Sequence, residues 1–376
     1  MSEYQYYEWQ TLDRPLTPEE RAAVNKLSSH IEVTSSQAVV TYSWSDFKHD
    51  PIQVLARYFD AFLYLANWGS KRLAFRFPKG LLDPQQIEPY LWEYCIELEP
   101  VGDHLILDVS LDEEEGVDWI EGEGWLSSLG RLRDDLLQGD YRALYLAWLR
   151  AAELQGADDD ELEPPVPPGL SELSPPLTSF VEFFDLDEYL LQSAAEASPQ
   201  RQPAPAIPPE EAITHLSPAE RDAFLVRLAR GEAHLSLALN RRLQELAGLP
   251  RPAAVAPRRT WGELRATADQ LRREAERSAA EAAEARRIQG LQAFAPREAE
   301  TWRDVVALIE EKKPTSYDKA VALLVKLRDL ADYQDRMAEF QTRVAGLQER
   351  YANRPALRDR LQRTGLRPEA LPEGLV

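Results

Sequence analysis

An α+β fold is expected for this chain, with a mixed sheet and its helices in the N-terminal region and an all-α domain of helical hairpins or a bundle at the C-terminus. Three observations point there. Strand-like and helix-like segments alternate up to residue 155, prolines crowd residues 156–211, and helical periodicity with capping signals fills most of 212–376. The expected domains are an acidic α+β head (1–155), a proline-rich linker carrying one docking helix (156–211) and a helical domain (212–376), with tetratricopeptide-like hairpins over 302–366.

In the head, "YQYYEWQTL" (4–12) is rich in β-formers, and "LTPEERAAVNKLSSH" opens with Thr17, Pro18 and Glu20 in the pattern of a capping box. "IEVTSSQAVVTYSW" (31–44) predicts a second strand region. Ile52, Leu55, Phe59, Phe62, Leu63 and Ala66 recur at helical spacing, which predicts a helix over 52–68 ended by Gly69. "KRLAFRF" alternates, with Leu73, Phe75 and Phe77 on one side and Arg72, Ala74 and Arg76 on the other. The strand candidates 94–101 and 104–111 join at the turn-forming pair Gly102-Asp103, and "LRDDLLQGDYRALYLAWLRAAEL" predicts helix with a broad apolar surface at Leu144, Leu146, Trp148 and Leu149.

Beyond residue 155 the prolines remove backbone donors and fix φ, so "GADDDELEPPVPPGLSELSPPL" is expected to run extended over a surface or between domains. "SFVEFFDLDEYLLQSAAEAS" predicts one helix too short to be stable alone, so Phe180 and Phe184 need a partner surface in this chain or another. Ser217, Pro218 and Glu220 mark a helix start, as do Thr260 and Glu263. The long helix that follows Thr260 carries Leu264, Ala268, Leu271, Ala275, Ala282 and Ala285 near a heptad.

The closing stretch "SYDKAVALLVKLRDLADYQDRMAEFQTRVAGLQERYANRPALRDRLQRTGL", ending on "RPAL…RL…GL", resembles the helical tail of bacterial SWIM zinc-finger proteins. A zinc finger needs paired cysteines, and the single Cys95 cannot supply them, so zinc-dependent nucleic-acid binding does not carry over. "LLQGDYRALYLAWL" with "EPPVPPGL" resembles bacterial hypothetical proteins to which no activity is attached.

Net charge is −21, but it is unevenly spread: residues 251–376 hold 24 basic against 20 acidic side chains, and residues 1–250 hold 19 against 44. A head so negative repels phosphate backbones and attracts basic partners. No apolar run approaches the roughly 18 residues that cross a bilayer, and the first thirty residues lack a signal-peptide apolar stretch, so a cytoplasmic location is expected. The acids of "DVSLDEEEGVDWIEGEG" lack the alternation of a calcium loop and are expected to be solvated. Cys95 is expected to be a buried thiol, although His104 lies just beyond the turn. No nucleophile elbow, phosphate loop or His-x-x-x-His is present, and neither cofactor nor metal is expected.

The expected function is a non-catalytic adaptor of a bacterial cytoplasmic complex. Its partner-binding residues would be Arg343, Arg350, Arg354, Arg358 and Arg360 on the tail, with Phe180 and Phe184 on the docking helix. The alternative is a nucleic-acid-associated protein that touches phosphates through its basic C-terminal helices, with Arg72, Arg76 and Lys79 as candidates in the head.

Overall fold

Strand β1 (Gln5–Gln10) is an interior strand of the N-terminal sheet, and its side chains are buried on both faces. The computed structural model describes residues 4–113, 121–201, 211, 213–231, 235–246 and 259–366. Around β1 lie β2 (Glu32–Val33), β3 (Gln37–Tyr42), β4 (Ala61–Ala66), β5 (Ser70–Pro78), β6 (Ile96–Val101) and β7 (His104–Asp112), in a seven-stranded sheet of order β2-β3-β1-β4-β5-β7-β6. Every pairing among these strands is antiparallel, which corrects the expected mixed sheet. Turns as short as Gly102-Asp103 can only reverse the chain, and parallel neighbours need a longer crossover.

The two faces of the sheet carry separate cores. Tyr7, Trp9, Val40, Phe62, Ala74 and Ile106 face α1 (Pro18–Val24) and α2 (Pro51–Tyr58). Leu63, Leu65, Leu73, Phe75, Phe77 and Leu107 face the opposite way, into a larger core. Thr17 and Glu20 make the reciprocal capping box at the start of α1. The helix expected over 52–68 is corrected: α2 stops at Tyr58, Phe59 is extended (φ −127°, ψ 174°), and 61–66 is β4. Asp60 makes the break, since its carboxylate accepts from the Leu12 and Asp13 amides at 2.7 and 3.0 Å and from Arg76 at 2.7 Å.

The larger core is built from α3 (Pro84–Ile87), α4 (Trp125–Leu129), α5 (Leu132–Leu137), α6 (Arg142–Gln155), α7 (Pro175–Phe183) and α8 (Glu188–Ala197). Gly139, at φ +84°, separates α5 from α6 where one helical run was expected. The single docking helix is likewise two, α7 and α8, parted at Asp185, which takes φ +50°.

Residues 159–201 pack into the head rather than leading away from it, with Val166, Leu170, Leu177 and Leu190 in its core. Proline lacks an amide proton, so the carbonyls of "EPPVPPGL" take side-chain donors instead. Tyr90 donates to the Pro165 carbonyl at 2.7 Å, Ser198 to Pro167 at 2.7 Å, and the buried Arg142 guanidinium to Gly169 at 3.1 Å and Glu172 at 3.2 Å. Farther on, α9 (Pro218–Ala229) starts at the Ser217–Glu220 capping box, and with α10 (Leu235–Leu246) it shares a small cluster around Leu216 and Leu243.

The chain divides into two compact units, residues 1–272 and 273–376. Helix α11 (Trp261–Phe294) contributes Trp261, Leu264 and Ala268 to the larger core of the first unit. Its expected heptad seam does not persist: Ala275, Ala282 and Ala285 are exposed. In the second unit, α12 (Glu298–Glu310), α14 (Met337–Arg350) and α15 (Pro355–Arg363) all pack on α13 (Pro314–Tyr333) around Leu324, Leu327, Phe340 and Leu357. No helix among the described residues is long and apolar enough to cross a membrane.

Candidate functional site

The tail arginines sit where α12, α14 and α15 meet. Residues 298, 302 and 310 share one face of α12 by helical spacing, and 343 and 350 share one face of α14. Packing these faces together brings Arg343 over the Trp302 ring (5.4 Å to its centroid) and within 4.0 Å of Glu298. Arg350 lies over Tyr351 at 5.3 Å and reaches Glu310 at 3.3 Å, and the Tyr351 hydroxyl donates to the same Glu310 oxygen at 3.1 Å. Trp302 is fixed in turn by Phe340, with ring centroids 5.8 Å apart. The arginine side chains nevertheless remain 58% and 63% exposed, so each guanidinium rests on a ring with its outer edge in solvent.

The other three arginines differ from this pair and from one another. Arg354 lies over Tyr351 at 4.6 Å and donates to the Ile309 carbonyl, satisfying an acceptor at the C-terminal end of α12. Arg360 bonds Asp318 at 2.6 Å and ties α15 to α13, which holds its guanidinium pKa above the ordinary value. Arg358 is exposed on α15. The five residues therefore divide into three that face solvent and two that hold helices together.

Phe180 and Phe184 are 2% and 1% exposed and pack with ring centroids 4.7 Å apart and planes tilted by 50° inside the first unit's own core. They are docked on this chain. The head cations are similarly engaged. Both oxygens of Asp108 accept from Arg72 Nε, at 2.9 and 3.0 Å, and Arg76 is held by Asp60 and by the Ala56 carbonyl at 3.0 Å. The Arg72 pKa is lowered by burial but raised overall by Asp108. Guanidiniums already paired with internal carboxylates present less charge to a phosphate, and of the three head candidates only Lys79 is exposed. The buried Lys71 pairs with Asp185.

Cys95 and His104 do not meet. The Ser110 amide donates to the Cys95 carbonyl at 2.8 Å, so Cys95 lies beside Ser110, six residues or roughly 20 Å along β7 from His104. Burial raises the thiol pKa and lowers that of the imidazole, which leaves both neutral. Most of the acidic stretch, 114–120, lies outside the described residues, and no group of three or more His, Cys, Asp or Glu among the described residues could hold a metal ion.

The ring seats under the arginines were not anticipated from the sequence. Trp302 sits on an apolar stripe of α12 that reads as core alone and meets Arg343 only through α14, whereas Tyr351 directly follows Arg350 at the end of α14 and lies beneath it. No family model, curated protein or solved structure compared with this chain matches it.

Proposed function

We propose that this chain is a non-catalytic protein-interaction component of a bacterial cytoplasmic complex, and that its helical tail recognises an acidic partner. The observation that carries this reading is the pair Arg343 and Arg350, each over an aromatic ring, Trp302 and Tyr351, and each mostly exposed to solvent. A guanidinium held on a ring has lost part of its rotamer freedom before binding, and its fork matches a carboxylate through two parallel hydrogen bonds. Arg358 extends the surface onto α15. Glu298 and Glu310 hold the arginines only at long distances, 4.0 and 3.3 Å, so an incoming carboxylate can compete for them.

The second reading, contact with nucleic acid, draws on the excess of basic side chains over 251–376. One experiment separates the two. Full-length protein is titrated into a fluorescent glutamate-rich peptide and into a duplex oligonucleotide, followed by anisotropy at two salt concentrations. Peptide binding that falls about tenfold or more in the Arg343→Glu/Arg350→Glu/Arg358→Glu variant supports the adaptor reading. Tighter binding of the duplex, lost steeply as salt rises, supports the alternative.

A further inference from the structure

Among the described residues, the helices on the sheet face that carries the larger core do not reach its β2 end. Helix α4 packs on β1 and β4, and α6 on β6 and β7, while beside them the β1-β3-β2 end carries a groove of about 610 Å³. Its floor includes Tyr4 and Tyr6 of the β1 region, His30 and Glu32 stand at the β2 end, and Glu121 and Glu123 line it from the chain that leads into α4. Gly122 makes that approach possible: a Cβ there would fall 2.2 Å from the Tyr6 ring.

A second observation lies directly beneath the floor. Glu8 shares the face of Tyr6, stands opposite Val39 of β3, and is fully buried. Its carboxylate accepts from the Tyr6 hydroxyl at 3.0 Å, from Gln10 at 2.7 Å and from Gln37 at 2.6 Å, all neutral donors. Tyr6, Gln37 and Val39 line the groove, so a carboxylate whose hydrogen-bond donors among the described residues are all neutral sits one side chain below its surface. Burial first, then Glu8, holds the Tyr6 hydroxyl pKa far above its ordinary value, so the Tyr6 hydroxyl keeps its proton and remains a donor to Glu8.

We infer that this groove binds an organic cation, an ammonium or guanidinium group that lies beside the half-buried Tyr4 side chain between Glu32 and the pair Glu121 and Glu123. The volume is that of a small-molecule or side-chain site. Its acids are spread along the groove, and among the described residues no three potential ligands converge on a point, so an extended organic cation fits where a metal ion does not. A ring face bordered by carboxylates attracts such a group both by its quadrupole and by charge. This site lies on the head and is independent of the arginine surface proposed for the tail.

Isothermal titration of the full chain with spermidine, and separately with an arginine-bearing hexapeptide, tests the inference. Saturable binding of spermidine alone identifies a free polyamine as the guest, and binding of the peptide alone a basic chain segment. The Glu32→Gln/Glu121→Gln/Glu123→Gln variant should bind about tenfold more weakly. A charge-matched control with Asp158→Asn, Glu172→Gln and Glu182→Gln, all exposed elsewhere on the head, should bind within twofold of the parent. Thr41→Lys, which puts a fixed ammonium in the groove, should weaken binding and covers the case in which the triple variant is unfolded. Failure of both probes to bind saturably, or equal losses in the groove and control triples, overturns the inference.

Discussion

Arg133 holds both carboxylate oxygens of Asp13, at 2.8 and 2.9 Å, while its Nε donates to the Arg76 carbonyl at 2.8 Å. The guanidinium is buried against the Phe77 ring and lies 4.0 Å from Asp60, so two arginines and two aspartates share one enclosed region. Truncating one member leaves an uncompensated charge inside, which costs about 3–5 kcal/mol. Arg133→Ala should lower the unfolding free energy measured by urea titration by that amount. Arg133→Lys should recover little of it, because one ammonium cannot make the fork and the carbonyl contact together.

Asp60 should make the first unit sensitive to acid. Burial pushes its pKa up, but the Asp13 amide, Arg76, the Leu12 amide and Arg133 outweigh burial and leave it depressed. The stability linked to this depression is present above the unfolded value of about 3.9 and is lost as pH falls through the folded value. Asp60→Asn should be less stable than the parent at neutral pH, and the gap should narrow as pH drops below about 4. Urea titrations at a series of pH values measure that gap, and a constant difference would remove Asp60 as the cause.

Phe180→Asp or Phe184→Asp should destabilise the whole first unit rather than release a local helix. Both rings are enclosed by residues from throughout that unit, and truncating a buried phenylalanine to alanine alone costs about 3–5 kcal/mol. Pulsed proteolysis should show cleavage spread across the first unit. Cuts confined to 156–211 would mean that the helices dock as a separate piece.

Glu163 accepts from Tyr145 at 2.8 Å and from two nitrogens of Arg259 at 2.9 Å each, and Arg259 also donates to the Ser193 carbonyl at 2.7 Å. The segments that carry Glu163 and Arg259 are joined by backbone bonds as well, with the Trp261 amide on the Glu161 carbonyl at 2.7 Å. Tyr145→Phe removes one hydrogen bond and should cost about 1 kcal/mol. Glu163→Ala strands Arg259 in the interior and should cost about 3 kcal/mol or more by denaturant unfolding.

In the tail, Arg354→Glu and Arg358→Glu should behave differently despite equal charge change. Arg354 covers Tyr351 and caps Ile309, so its reversal should lower the melting temperature of the second unit by several degrees. Arg358 is exposed on α15, so its reversal should change the stability by no more than about half a kcal/mol. Equal shifts would show that the contacts of Arg354 contribute nothing to the packing of α15.

The parts of this fold that were legible in the sequence are those decided within four residues. Thr17 with Glu20, Ser217 with Glu220 and Thr260 with Glu263 each make the reciprocal bonds their spacing implied. "AFLYLA" was not legible, because a strand buried on both faces shows a continuous apolar run that suits a helix equally well. Its decisive residue is Asp60, whose partners Leu12, Asp13 and Arg76 are remote in sequence. The arginine surface was half legible for the same reason: the basic side chains are visible as a series, but which ones reach solvent depends on Trp302, Glu310 and Asp318 in other helices.

The first unit cannot close its core until Trp261, Leu264 and Ala268 have been made, since Trp261 packs edge-on against Trp148 with centroids 6.1 Å apart. On the ribosome, more than a hundred residues separate these two tryptophans, a delay on the order of ten seconds at ordinary rates of elongation. Through that interval the nascent sheet and α6 present an open apolar surface. Ribosomes stalled after residue 211 should therefore carry a chain that recruits chaperones, and those stalled late enough for residue 268 to have left the exit tunnel should not.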